Sequence, residues 1–506
     1  MVIALDGHTL TLAQLASIAR EHTQVALDGS ARARVAAARR VVDRAADGDA
    51  AVYGVNTGFG SFADVRIPHD ALSELQANLL RSHAAGVGDP LPVAAVRATM
   101  ALRANVLARG SSGVRVETLD ALIALLNADV HPVVPCRGSV GASGDLAPLA
   151  HLALVLVGEG EVSEPDGRQP GAVALARHGL EPIRLEPKEG LALINGTQPS
   201  TAILALALLD AERIAHAADV AAALSIDGLR GSTKPFDPRI HAARPFRGQR
   251  ESAAAIGALL AGSPINASHA DCGRVQDAYS MRCAPQVHGA ARDALAFVRH
   301  VVSVELNAAT DNPMVFPDDG DLVSGGNFHG APVALAADLL AIAVTHLATI
   351  SERRSDRLVN PALSGLPPFL TRHGGLESGL MMAQVTAAAL TSELKGVAHP
   401  ASVDTIPTSG NKEDHVSMSM TAALKAERAV GLARQVTAIE LLCAVQAIDL
   451  LAPLATSALL TEACRIVRAR VPTLEKDRSP APDIAAIDEL IANGAFDHLP
   501  GPLSSH

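Results

Sequence analysis

The chain contains the stretch Gly138-Ser139-Val140-Gly141-Ala142-Ser143-Gly144-Asp145-Leu146-Ala147-Pro148-Leu149-Ala150. Glycine recurs at every third position up to Gly144, and an apolar helical run follows at once. An Ala-Ser-Gly triplet is by itself most simply a turn. Here the glycines allow a tighter bend, in which the Gly144 nitrogen reaches the carbonyl carbon of Ala142. A five-membered ring can then close. Loss of two waters, one of them carrying the Ser143 hydroxyl, leaves an exocyclic methylidene. Such a group is a strong electrophile, which none of the twenty side chains supplies.

Bulk composition narrows the surroundings of this stretch. At 506 residues the chain has room for about two to four units, although a helical enzyme can run this long around one core. Hydrophobic residues make up 48% and charged residues 19%, enough apolar material for a large core. The net charge is -11 and no Lys/Arg block occurs, which argues against nucleic acid or an anionic membrane as partner. Cys136, Cys272, Cys283, Cys443 and Cys464 are odd in number, far apart and without a C-x-x-C pair. They predict a reduced protein with no structural zinc, Cys272 and Cys283 being ordinary buried thiols. The start lacks a basic region followed by an apolar stretch. Polar residues such as Asp210, Asp338 and His346 interrupt the apolar runs. A cytoplasmic protein without a membrane span is expected.

The pattern changes near residue 198. Before it, short helices, glycine turns and a few extended pieces alternate, with Asp166-Gly167 marking a turn that could close a hairpin. After it, residues 202–226, 289–309, 329–354, 376–399 and 417–451 are rich in Ala and Leu and free of internal proline apart from Pro332, so helices are predicted there. Loops are predicted at 230–249, 312–327, 365–375 and 401–411. No 20–50-residue repeat occurs. The expected fold is mainly α: an N-terminal region 1–198 carrying the Ala-Ser-Gly loop, then a long-helix bundle over 199–506. Helices that are apolar nearly all round need cover on several sides. The bundle is therefore expected to be completed by neighbouring subunits.

Polar residues with distinct chemistry sit between the predicted helices. The chain has two tyrosines and no tryptophan. Tyr53, in Tyr-Gly-Val-Asn-Thr-Gly-Phe-Gly-Ser, is a candidate base whose pKa would need lowering by positive charge or hydrogen bonds. Arg282 can clamp a carboxylate bidentately. Asn195 can donate or accept. His83 and Glu413 could read a polar side chain. Plainer readings exist for each: a packed tyrosine, a structural ion pair for Arg282, a satisfied structural His83, and Glu413 paired with Lys412 or His415. Phe328 is most simply core. His69, His241, His269 and His415 lack metal-ligand spacing, and no metal is expected.

These motifs together resemble the aromatic amino acid ammonia-lyase family, whose members build a methylidene-imidazolone from an internal Ala-Ser-Gly. The resemblance covers residues 53–61, 75–88, 138–150, 188–198, 276–283, 307–316, 324–328, 351–354 and 399–418, nearly the whole chain. It is most similar to the histidine-specific members. Ser82-His83 stands where tyrosine-specific relatives carry His-Leu and phenylalanine-specific ones Phe-Leu, and Glu413 stands where aryl-specific relatives usually have Gln. An acid accepts an imidazole N–H, and a phenyl ring would leave it unpaired.

The resemblance implies a helical architecture like that of the aspartase/fumarase lyases and a homotetramer with shared active sites. It implies deamination of L-histidine to trans-urocanate and ammonia, the first step of histidine degradation. The prosthetic group would form autocatalytically from Ala142, Ser143 and Gly144, with no dissociable cofactor. Tyr53 would remove a β-proton, with Glu413 assisting proton transfer. Arg282 would hold the carboxylate, Asn195 and Tyr279 would steady electrophile and substrate, and Gln276 would support them. His83 and Glu413 would recognise imidazole, and Phe328 would shape the pocket. A tyrosine or phenylalanine lyase or a 2,3-aminomutase could use the same electrophile, and a silent scaffold could keep the fold. Ala278, His288, Gly330-Ala331 and Ser419 depart from the usual family pattern.

Overall fold

Three of the long helices begin with a residue followed by proline: Gln198–Gly228 at Pro199, Ala284–Glu305 at Pro285 and Ala331–Val359 at Pro332. Proline is tolerated in a first turn because its missing N–H would find no helical partner there. The computed structural model describes residues 2–501 except Asp271 and Arg274, and the side chain of Ser61 is also left out. Among the described residues it is built from 20 α-helices and a few short strands. Met381–Val397 and Ser419–Leu450 complete the five long helices.

The boundaries differ from expectation where side chains intervene. Pro199 and Pro285 start their helices four or five residues earlier than the apolar pattern suggests. The helix expected to reach 309 stops at Glu305. Just beyond it, the Asn307 amide exchanges two hydrogen bonds of 3.0 Å with the Leu10 backbone, and Arg109 takes the Asn307 carbonyl at 2.8 Å. Val359 ends its helix because Asn360 precedes Pro361, and a residue before proline avoids the helical region. The helix expected from 376 begins at Met381. Before it, the Asp477 carboxylate accepts from the Ser378 and Gly379 N–H groups at 2.7 and 2.9 Å and stabilises a turn. The loop expected over 230–249 contains the short helix Pro238–Ala242, and Arg247–Leu260 starts within it.

Strands are brief. Glu161–Glu164 and Gly167–Pro170 form the antiparallel hairpin around Asp166-Gly167, and His131–Pro132 extends it. Met314–Phe316 and Asp321–Val323 form another hairpin inside the 312–327 loop. All five cysteines are free, but Cys272 is exposed, which corrects its reading as a buried thiol. Ala331–Val359 and Ser419–Leu450 have the length and apolarity to cross a membrane, yet 67% and 78% of their most apolar stretches are buried in the chain.

Two compact units divide the chain. The first comprises Met1–Leu206, Arg299–Asp338 and Pro400–Leu424; the second comprises Ala207–Val298, Leu339–His399 and Lys425–His506. In the first, the Val93–Ala108 helix is buried almost all round and carries two buried arginines. Arg97 donates to the Ile18 and Leu126 carbonyls and to Asp129. Arg103 donates to the carbonyls of Ala192 and Asn195, at the end of the Glu189–Ile194 helix, and to Gln198. Its burial lowers its pKa to about 10, so it stays charged at neutral pH. Nearby, fully buried Lys188 pairs with fully buried Asp311 at 2.8 Å. In the second unit, Phe297, Met382 and Val385 leave apolar surface exposed on two of the long helices.

Candidate active site

Ala142, Ser143 and Gly144 lie in a bend between Gly141, at φ +66°, and the helix Leu146–Leu156. Gly144 has φ +69°, and a Cβ there would sit 2.2 Å from the Gly196 carbonyl oxygen. Only glycine fits that position. Asp145 N–H donates to the same carbonyl at 2.8 Å. Asn195 Nδ2 donates to the Ser143 carbonyl at 2.9 Å and to Ser143 Oγ at 2.8 Å. Its Oδ1 is buried and unpartnered. Ser143 is half-buried, so its hydroxyl can face a ligand. Asp145 is fully buried, accepts from Ser139 and Ser200, and has its pKa raised by that burial. A tight glycine bend with a hydroxyl between small neighbours fits a methylidene-imidazolone at this place.

Tyr53, His83, Phe328 and Glu413 belong to the same unit as that bend. Tyr53 opens a loop anchored behind by Val55, which packs in a cluster with Val42, Leu72 and Val315. The front of the loop, with Leu79, Ser82, His83 and Ser409, lines a largely apolar cavity of about 620 Å³. Phe59 stands edge-on to the Tyr53 ring. Burial raises the Tyr53 pKa, the Gly60 N–H lowers it, and the Glu413 charge raises it again, for a net rise. Within one chain the phenol is therefore shifted away from the value a base needs.

His83 ends the helix Leu72–His83, and its Nδ1 lies 2.9 Å from the Leu79 carbonyl. A carbonyl only accepts, so Nδ1 carries the proton and Nε2 is left as an acceptor. Burial lowers the His83 pKa, while the Leu79 carbonyl and the Glu413 charge oppose the shift. Glu413 pairs through its backbone with Thr408 and accepts from the Thr408 hydroxyl, rather than pairing with Lys412. Phe328 is half-buried in the turn before the helix Ala331–Val359.

Gln276, Tyr279 and Arg282 lie in the second unit. Tyr279 is 70% exposed, unusual for one of only two tyrosines. Arg282 stacks its guanidinium 4.7 Å from the Tyr279 ring centroid, and its buried Nε has no partner. Behind them, Arg354 pairs with Glu440 and donates to the Ser280 carbonyl at 3.2 Å. His288, one of the departures, is fully buried and bonds Asp219 at 2.7 Å. An apolar residue there would leave the Asp219 carboxylate with Arg292 alone.

Sequence reasoning missed Arg103, whose hold on the Asn195 carbonyl positions that side chain, because it sits inside an apolar helix. It also missed the stacking of His329, next to Phe328, on His415, two residues past Glu413, with the rings 5.7 Å apart at 7°. His22, Asp129 and His131 converge to within 4.8 Å, but Arg97 already donates to Asp129 and His131 there.

A model of the aromatic amino acid lyase family matches residues 10–469. A histidine ammonia-lyase of Anaeromyxobacter dehalogenans is 58% identical over 504 residues, covering 98% of this chain and 99% of its own. The crystal structure of histidine ammonia-lyase from Trypanosoma cruzi superposes with a TM-score of 0.90 at 45% identity, over 98% of this chain and 94% of that one. Tyrosine aminomutase from Streptomyces globisporus superposes at 0.94 with 37% identity, over the full length of both.

Proposed function

The chain belongs to the aromatic amino acid lyase family, and from that premise we propose that it removes ammonia from L-histidine to give trans-urocanate, the first step of histidine degradation. The observation that carries the specificity is that His83 and Glu413 belong to one unit with Tyr53, the Glu413 charge acting on both His83 and Tyr53. His83 Nε2 and the Glu413 carboxylate are both acceptors. An imidazole N–H satisfies one of them, whereas a phenyl ring satisfies neither and leaves them desolvated.

Ala142, Ser143 and Gly144 would form the methylidene-imidazolone, which supplies an electrophile for the substrate amine. Asn195 steadies that segment through the Ser143 carbonyl and hydroxyl. Arg282 holds the substrate carboxylate with its fork of N–H donors, and Tyr279 and Gln276 frame it. Tyr53 takes the β-proton onto its phenolate oxygen, and Glu413 assists. Phe328 walls the pocket. Burial and the Glu413 charge raise the Tyr53 pKa, and a positive charge beside the phenol would offset that rise. We assign that charge to Arg282 of a neighbouring subunit in a homotetramer with shared sites. The five free cysteines suit a reducing compartment, which supports our reading of the enzyme as cytoplasmic.

The test is a set of ultraviolet progress curves with L-histidine, L-tyrosine and L-phenylalanine, with ammonia assayed in each. Urocanate and ammonia from histidine alone are expected. Cinnamate or coumarate without urocanate would overturn the specificity. A β-amino acid without free ammonia would favour the aminomutase reading, to which the likeness with tyrosine aminomutase lends support.

A further inference from the structure

The bend at Ala142 is gripped from in front by two segments distant in sequence. The Ser417 hydroxyl donates to the Gly141 carbonyl at 2.8 Å, and Gly330 N–H donates to the same oxygen at 3.1 Å. Met418 N–H donates to the Val140 carbonyl at 2.8 Å. Ser417 Oγ accepts from Ser419 N–H at 3.2 Å, which directs its own proton toward Gly141. Packing is close enough that a Cβ at Gly141 would lie 2.3 Å from Ser417 Oγ, and one at Gly330 would lie 2.8 Å from it. Behind the bend, Gly196 takes the Asp145 N–H and abuts Gly144. Three residues are thus held at both ends in a turn that an unrestrained chain would rarely visit.

We propose that Ser417 is a positioning residue for closure of the Ala142-Ser143-Gly144 ring. The proposal rests on the reading that the triplet matures. In that maturation the Gly144 nitrogen bonds to the Ala142 carbonyl carbon. The Ala142 oxygen leaves as water with the protons of the Gly144 and Ser143 nitrogens. The Ser143 Oγ leaves as a second water with its own proton and the Ser143 α-proton. No oxidant or reductant is consumed. Ser417 takes no part in these transfers. It fixes the carbonyl immediately before Ala142, so that ring closure starts from an ordered turn.

Intact mass of the full chain, followed with time after a pulse of synthesis, tests this. Wild type is expected to lose two waters. Ser417→Ala should lose them about tenfold more slowly, the factor expected for one buried hydrogen bond lost from a transition state. Ser417→Cys, which nearly keeps the volume with a weaker donor, should fall between them and decides the matter if the alanine variant does not fold. Ser419→Ala should mature at the wild-type rate, since the Ser419 hydroxyl has no partner. Folded variants at position 417 that mature as fast as wild type overturn the proposal. Wild type that never loses water overturns the maturation reading itself, and this inference with it.

Discussion

Removing one oxygen separates the chemistry from the fold. Ser143→Ala loses the Asn195 contact to Oγ but keeps the backbone contact. We expect a fall on the order of 10³-fold or more in kcat, as for groups on which a covalent step depends. The thermal midpoint should stay close to wild type, and the mass should show no loss of two waters. Glu413→Gln keeps the shape and removes the charge. Histidine kcat/KM should drop roughly 10- to 100-fold, the cost of a charged hydrogen bond to the ring, while phenylalanine turnover holds or improves. An unchanged ratio between the two substrates would remove Glu413 from recognition. At this scale the triplet, Tyr53, His83 and Glu413 stood out in the sequence as candidates because each has a residue type suited to a task. The direction of the Tyr53 shift was not. It depends on burial and on the approach of Glu413, which residue type does not encode.

Helices were legible as apolar, proline-free runs, and their ends less so. Asn307 turns its amide onto Leu10, and Asp477 caps the turn at Ser378 and Gly379. Such bonds join residues roughly a hundred or more positions apart and leave no local period. Pro199 and Pro285 were readable starts, masked because the apolar pattern strengthens only after them. The Glu189–Ile194 helix that delivers Asn195 is entered through Lys188, at φ +73° and fully buried. Burial lowers the Lys188 pKa and Asp311 opposes that shift. Asp311→Ala would leave an ammonium buried without its partner. We expect destabilisation of about 3–5 kcal/mol, read as a lower denaturant midpoint with an unchanged slope.

At the scale of the whole molecule, the proposed sharing of sites between subunits makes a complementation prediction. Tyr53→Phe and Arg282→Ala chains should each be nearly inactive alone. Co-expressed in equal amounts, they should recover about a quarter of wild-type activity, since each site then draws an intact residue from each of two chains at random. No recovery would place both residues on one chain. Acid stability gives a second prediction. Burial first, and then the neighbouring Arg97 charge, lower His131 from 6.5 to about 4. Between those values only the unfolded chain takes the proton. The His131 contribution is therefore complete above pH 6.5 and is lost as pH falls toward 4. His131→Gln should flatten the dependence of the unfolding midpoint on pH in that window.

Sequence alone singled out the Ala142-Ser143-Gly144 triplet, the Tyr53 loop, His83 and Glu413 as candidate site residues, and the alternation of long helices with polar loops. Each is written in residue types or periodicities within a few turns of chain. Tertiary structure alone decided what holds them. Arg103 caps the carbonyl of Asn195 from 92 residues away, and Ser417 grips Gly141 from 276 away. Such contacts follow from how helices pack, since a buried donor must find whatever carbonyl the fold brings to it.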